Sequence, residues 1–202
     1  MKHLILLLAT LLPFSVVQAG EPSAMFGQEL ASVSKPDEIN IDFYVDPLST
    51  VPNYIRVGLD DGEIMVDYSG SQSLSYKWFI NKELALYGGL GLNASTADQI
   101  IIGGAYTINN DNIRFNINPV INAGGGTTQT DLYLGAFMKF DGIKDKKMMF
   151  GAQYHADLTN STNSGVTLGL RWLARKDITI DLALFNANQL DFPGVFAINM
   201  AF

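Results

Sequence analysis

The sequence has 202 residues, with 20 acidic against 13 dispersed basic residues and a formal net charge of −7, a balance that argues against a nucleic-acid partner. It contains no cysteine, which excludes a disulfide framework and a cysteine-linked lipid anchor. Hydrophobic residues make up 48% of the chain, yet past residue 19 no stretch is long and apolar enough to span a bilayer as a helix.

Met1-Lys2-His3 is a short cationic start, followed by an apolar run from Leu4 to Val17. Val17-Gln18-Ala19 then places small residues at the two positions a signal peptidase reads. The pattern predicts a cleaved signal peptide over 1–19, since the apolar run is too short and wrongly flanked for a permanent membrane helix. Its loss removes Lys2, leaving 12 of the 13 basic residues against 20 acidic ones and a formal charge of −8 in place of −7. The remaining length of about 180 residues fits one domain. Residues 20–38 do not alternate, and the simplest expectation for them is a tail outside the fold. The sharper alternative is one short helix from Ser23 to Val33, with Met25, Phe26 and Leu30 on one face, serving as a plug or an interface helix.

From Ile39 onward the hydrophobic period is two, beginning with Ile39-Asn40-Ile41-Asp42-Phe43-Tyr44-Val45. Further strands are predicted at roughly 54–59, 63–69, 73–80, 84–92 and 98–107. Ile113, Phe115 and Ile117 then oppose Arg114, Asn116 and Asn118, and Leu132, Leu134, Ala136, Met138 and Phe140 oppose Asp131, Tyr133, Gly135, Phe137 and Lys139. Met148, Phe150, Ala152 and Tyr154 alternate with Met149, Gly151, Gln153, His155 and Asp157. Val166, Leu168, Leu170 and Trp172 alternate with Thr167, Gly169 and Arg171, and Ile178, Ile180, Leu182 and Leu184 with Thr179, Asp181 and Ala183. In the last strand Phe196, Ile198, Met200 and Phe202 alternate with Ala197, Asn199 and Ala201. Strict alternation assigns each set to one face of a sheet.

This makes about twelve strands; merging the two short ones around Asp60-Asp61-Gly62 would leave ten. Turn signals at Asp60-Asp61-Gly62, Asn81-Lys82-Glu83, Asn109-Asn110-Asp111, Asp141-Gly142 and Lys176-Asp177 fall on the side of the sheet where the chain ends. Asp46–Asn53, Ser69–Gln72, Asn93–Ala97, Asn122–Thr128, Thr159–Ser164 and Asn188–Pro193 fall on the other, and all of these connections are short.

A soluble sandwich also alternates, so the two faces have to be compared. The face opposite the apolar one carries Gly89, Gly91, Gly103, Gly135, Gly151 and Gly169 mixed with Asn, Arg, Lys and Asp, which suits a crowded, curved interior. On the apolar face aromatics fall in two bands. Trp78, Tyr106, Phe140, Trp172 and Phe202 lie near one rim, and Phe43, Tyr68, Tyr154 and Phe196 near the other, as rings do at two water–lipid interfaces. The terminal strand, with Phe196, Ile198, Met200 and a final Phe202, resembles the C-terminal targeting strand of Gram-negative outer-membrane β-barrels. The resemblance implies recognition of these four residues by the barrel-assembly machinery and residence among outer-membrane lipid. The expected fold is thus all-β: an antiparallel up-and-down transmembrane β-barrel over 39–202, preceded by a periplasmic N-terminal segment over 20–38.

Catalytic chemistry is sparse. The mature chain has one histidine, His155, two residues from Asp157 on the interior face; a hydrogen-bonded pair is geometrically plausible there, and the simpler expectation is that His155 belongs to a polar lumen network. Outer-membrane lipid hydrolases and acyltransferases use Ser, His and an acidic or amide partner, but none of their local motifs is present. Scattered carboxylates give no metal-ligand spacing, and Gly88-Gly89-Leu90-Gly91 lies within a strand rather than ahead of a helix, so no cofactor is expected. The interior positions are more telling. Arg56, Lys77, Arg114, Lys139, Lys147 and Arg171 face Asp42, Glu63, Asp67, Asp131, Asp157 and Asp181, with His155 among them. Signs this nearly balanced point away from a wide pore of one charge. The expectation is a non-enzymatic barrel, a narrow and weakly selective passive channel for small solutes. The alternative is a closed structural or stress-related envelope barrel, with a lipid-modifying enzyme a distant third.

Overall fold

The computed structural model describes residues 24–25, 28–45, 53–68, 72–92, 99–109, 112–140, 148–175, 178–184 and 194–202. The predicted signal peptide, Lys147 and most of the predicted connections at 46–53, 69–72, 93–97 and 188–193 lie outside these residues.

Two short strands open the described chain, β1 (Ala24–Met25) and β2 (Gln28–Glu29), paired antiparallel with each other. Twelve more follow: β3 (Ile39–Val45), β4 (Tyr54–Leu59), β5 (Gly62–Asp67), β6 (Ser73–Asn81), β7 (Leu84–Gly91), β8 (Ile100–Asn109), β9 (Ile113–Gly124), β10 (Thr127–Lys139), β11 (Met148–Asp157), β12 (Gly165–Arg175), β13 (Ile178–Leu184) and β14 (Gly194–Ala201). Each pairs antiparallel with its sequence neighbours, and β14 returns to β3, so the sheet closes on itself as a twelve-stranded barrel. The short strands β4 and β5 do not merge, because Leu59 and Gly62 are paired across the two-residue turn Asp60-Asp61. Closure leaves no strand edge along the barrel wall, which is the condition for a sheet to lie in lipid.

The two faces invert the burial of a soluble protein. Outward positions expose large apolar side chains, Leu90 by 56% and Ile102 by 57%, while Lys77 and Glu63 inside are fully buried. A monomeric soluble surface does not carry a continuous apolar belt of this extent, whereas the lipid face of a membrane barrel does. Trp78, Tyr106, Phe140 and Trp172 stand exposed on the rim nearer Phe202, and Phe43, Tyr154 and Phe196 on the opposite one.

Three local features shape the wall. The predicted loop Asn122–Thr128 is instead mostly strand, with β9 and β10 paired up to Gly124 and Thr127. Gly125 and Gly126, at φ 59° and 79°, make a two-residue turn with left-handed backbone at both central positions, a geometry glycine adopts without steric cost. Between β8 and β9 the pairing skips two steps at Pro119, which has no amide to give, and the Asn118 side chain donates to the freed Gly104 carbonyl at 2.6 Å. At the β6–β7 turn the register shifts between Phe79 and Asn81, and Asn81 Oδ1 accepts the amides of Glu83 and Leu84 at 2.8 and 3.0 Å.

The helix considered for Ser23–Val33 is not formed: its described part is the β1–β2 pair followed by extended chain. Leu30 and Ala31 are fully buried inside the barrel, where Leu30 forms one cluster with Phe137 and Ala183 and Met149 packs against that cluster. An extended chain offers its amides to the wall, which a helix would consume internally. Here the Ala31 amide donates to Thr107 Oγ1 at 2.9 Å and the Ser34 amide to Glu63 Oε2 at 2.7 Å. A turn then redirects the chain into β3, with Glu38 N–H donating to the Lys35 carbonyl at 3.0 Å, Pro36 presetting one central φ and Asp37 at φ 63°.

Candidate functional site

The interior face is the candidate site, because it gathers nearly all the buried charge of the chain. Alternation is the cause: each strand that gives an apolar residue to the outside gives the next to the inside. Asp42, Arg56, Asp67, Lys77, Arg114, Asp157, Arg171 and Asp181 are all buried there, while Lys139 and His155 are half-buried.

These residues fall into separate clusters on different parts of the wall. On β3–β6, Arg56 is the hub: its Nε donates to Asp42, its Nη1 to Glu63 Oε1 at 3.1 Å and to Met65 Sδ, and its guanidinium lies 4.7 Å from the centre of the Tyr54 ring. Lys77 Nζ shares the same Glu63 oxygen at 3.2 Å. A buried carboxylate facing two cations through one oxygen keeps its charge, and the second oxygen stays available. Ser34 uses it, donating from Oγ at 2.6 Å and from its amide.

On β12–β14 the guanidinium of Arg171 holds Asp181 through two parallel bonds, Nε to Oδ1 at 2.6 Å and Nη2 to Oδ2, a bidentate geometry. Asn199 and Thr179 complete this cluster, 3.0 Å apart. On β7–β9, Tyr87 pairs with Asn118, Thr107 Oγ1 donates to Asn116 Oδ1 at 2.6 Å, and Arg114 Nε donates to Asn109 at 2.9 Å.

At the rim away from Phe202 His155 lies in a polar cluster of the interior, with Asp131 rather than Asp157 as its hydrogen-bond partner. His155 Nε2 lies 2.7 Å from Asp131 Oδ1 on the neighbouring strand, and its ring stacks on Tyr133 at 4.5 Å. The register dictates this, since Tyr133 is directly opposite His155 and Asp131 is opposite Asp157. Asp157 turns instead to the following connection, where its Oδ1 accepts the amides of Thr159 and Asn160 at 2.9 and 2.7 Å. Among the described residues no group of three metal-binding side chains comes together.

Phe196, Ile198 and Met200 sit on the outer face of β14, in register with Leu182, Ile180 and Ile178 on β13. Phe202 lies past the strand end and exchanges backbone bonds with Ile39.

Sequence reasoning missed the part played by Leu30, Ser34 and Thr107 within this interior. Gly58 offered the one signal that bears on them. It stands at an inward strand position where an added Cβ would lie 1.8 Å from the Lys35 carbonyl oxygen, so the wall is bare where the N-terminal segment passes.

No family model and no curated protein matches the chain. Among solved structures it is similar to the KdgM porin, at 10% identity and a TM-score of 0.51, over 82% of this chain and 98% of that one. The fold is a closed antiparallel β-barrel like that of the KdgM porin. A second structure, published under the heading "Unveiling the Mechanism Behind the in-meso Crystallization of Membrane Proteins", matches over 82% of both chains at 10% identity and a TM-score of 0.50. Near-complete coverage of the KdgM porin shows that the likeness extends round the whole porin-like barrel, not to a few hairpins.

Proposed function

We propose that the chain is a narrow, weakly selective passive channel for small solutes in the outer membrane of a Gram-negative bacterium. The observation that carries this reading is the interior face. Arg56, Lys77, Arg114, Lys139 and Arg171 stand there against Asp42, Glu63, Asp67, Asp131, Asp157 and Asp181, inside a wall whose outside is apolar. So many ionised groups are costly to hold in a dry core, and they favour a hydrated lumen. Because Arg56, Lys77 and Arg171 pair with Asp42, Glu63 and Asp181 along the wall, and the signs are nearly balanced, no strong field selects anions or cations. Gln153 Oε1 and Asn199 Oδ1, buried on the same face without a protein hydrogen bond, add to the case for water along β11 and β14. In this reading the rim with Phe202 faces the periplasm, and the porin fold supports transport over catalysis.

A second reading is a closed structural barrel of the envelope, favoured by the chain segment that lies across the lumen. The two are separated by conductance in a planar bilayer. The channel gives small steps with weak ion selectivity. Silence over many verified insertions, persisting when the N-terminal segment is displaced, would reject the channel and leave the closed barrel.

A further inference from the structure

We propose that Leu30–Glu38 is a resident plug: a stretch of the protein's own chain, seated on Glu63, Thr107 and Phe137, that sets how much of the lumen is open. The inference rests on the channel reading and adds to it the element that restricts the passage.

The segment touches the wall at points far apart round the barrel. Leu30 joins Phe137 of β10 and Ala183 of β13 in one buried cluster, Ala31 bonds to Thr107 of β8, and Ser34 bonds to Glu63 of β5. The backbone of Asp37 and Glu38 then bonds to Gly58 of β4 before β3 begins. A chain joining these points must cross the interior.

The wall is shaped to receive it at both ends. Phe137 pairs with Gly151, Gly151 with Gly169, and Gly169 with Ala183, which makes one row across β10–β13. Leu30 shares one buried cluster with the two ends of that row, and the two glycines between carry no side chain to compete with it. At the other end Gly58 is bare because the Lys35 carbonyl passes against it. Glu63 ties these ends together. One oxygen serves the wall through Arg56 and Lys77, and the other serves the segment through both donors of Ser34.

The same contacts let the segment leave without unfolding the barrel. It adds no strand to the wall, and water can replace the donors on Glu63 and Thr107. Glu63 remains neutralised by Arg56 and Lys77 after release, so no unpaired charge is stranded. The Lys35–Glu38 turn keeps the segment tethered at the mouth.

The test uses the absence of native cysteine. A single Ala31→Cys probe, fully buried when seated, is treated with a polar maleimide in the refolded full-length protein. We expect labelling at least about tenfold slower than in the unfolded chain, and faster labelling once Leu30→Asp and Ser34→Asp displace the segment. Conductance is read on the same displaced form and, in case it folds poorly, on a variant lacking residues 24–34, each checked for the mobility shift of an unboiled barrel. Steps several-fold larger than those of the native protein support the plug. Equal steps in native and displaced forms overturn it and leave the channel standing, as does fast labelling of the seated protein. Silence from every form, with Ala31→Cys now reactive, sinks the channel reading and the plug with it.

Discussion

Phe202 and Ile39 exchange both backbone hydrogen bonds, the Phe202 amide donating to the Ile39 carbonyl at 2.8 Å and the Ile39 amide to the Phe202 carbonyl at 3.1 Å. The two residues are the last and first of the barrel, so this reciprocal pair finishes the β14–β3 seam at the rim. The backbone of Phe202 thus closes the seam, and the proposal that the assembly machinery reads its ring can be tested separately.

The prediction separates these roles. Deleting Phe202 removes both hydrogen bonds and the ring, and it is expected to slow folding into detergent or lipid as well as lowering the amount in the outer membrane. Phe202→Ala keeps the backbone bonds, so purified protein should refold at close to the native rate while cells accumulate less of it. Folding is followed by the mobility shift of unboiled samples, and accumulation by membrane fractionation. Normal accumulation of Phe202→Ala would remove the ring from any role in assembly.

The membrane position has its own test in the only two tryptophans, Trp78 and Trp172. Both are nearly half exposed on the outer face, close to the rim that carries Phe202. At a water–lipid interface their fluorescence should be quenched more by lipids brominated near the headgroup than by lipids brominated near the chain end. Stronger quenching from the chain ends would place this band in the bilayer centre and displace the whole barrel along its axis. No quenching by either lipid would mean that the apolar belt does not face lipid at all.

The barrel was legible in the sequence because lipid and lumen impose opposite demands on neighbouring residues. That contrast writes a period of two along every strand, and the count of twelve follows from it. What the period does not encode is which residues oppose each other across strands. Alternation makes Asp157, its neighbour along the strand, a plausible partner for His155, whereas the register gives it Asp131 and Tyr133. The Gly124-Gly125-Gly126 run misled for a related reason, since glycine content marks flexibility but not whether flanking residues pair. Leu30–Glu38 was the hardest part to read. Its partners Glu63 and Thr107 are distant in sequence, 76 positions apart for Ala31 and Thr107, and its apolar spacing also fits a helix.

The β9–β10 turn offers a local stability prediction. Gly125 and Gly126 both hold positive φ, and an added Cβ at either would meet nothing within 4 Å. Substitution by alanine therefore costs backbone strain without a clash, about 1–2 kcal/mol at each position. Urea titration of the refolded barrel should show that loss, with the mobility shift and conductance steps retained. A loss well above this range would mean that the turn packs against a part of the chain outside the described residues.

The last prediction concerns Arg171 and Asp181, whose side chains are almost wholly buried in the lumen and joined bidentately. Removing Arg171 leaves the Asp181 carboxylate with Asn199, whose amide lies 3.4 Å away and cannot replace a guanidinium. In a dry interior that loss is about 3–5 kcal/mol, while exchanging both members for apolar residues of similar volume is near neutral. A hydrated lumen screens the orphan, and the single change falls toward about 1 kcal/mol. Urea titrations of Arg171→Met and of the Arg171→Met, Asp181→Leu pair therefore measure the water content of the lumen at this level. The channel reading expects the single change to cost the smaller amount, and the apolar pair to cost more than the single change because it removes polar wall from water. The reverse order would mark the β12–β13 wall as dry, with any conducting path running along another part of the interior.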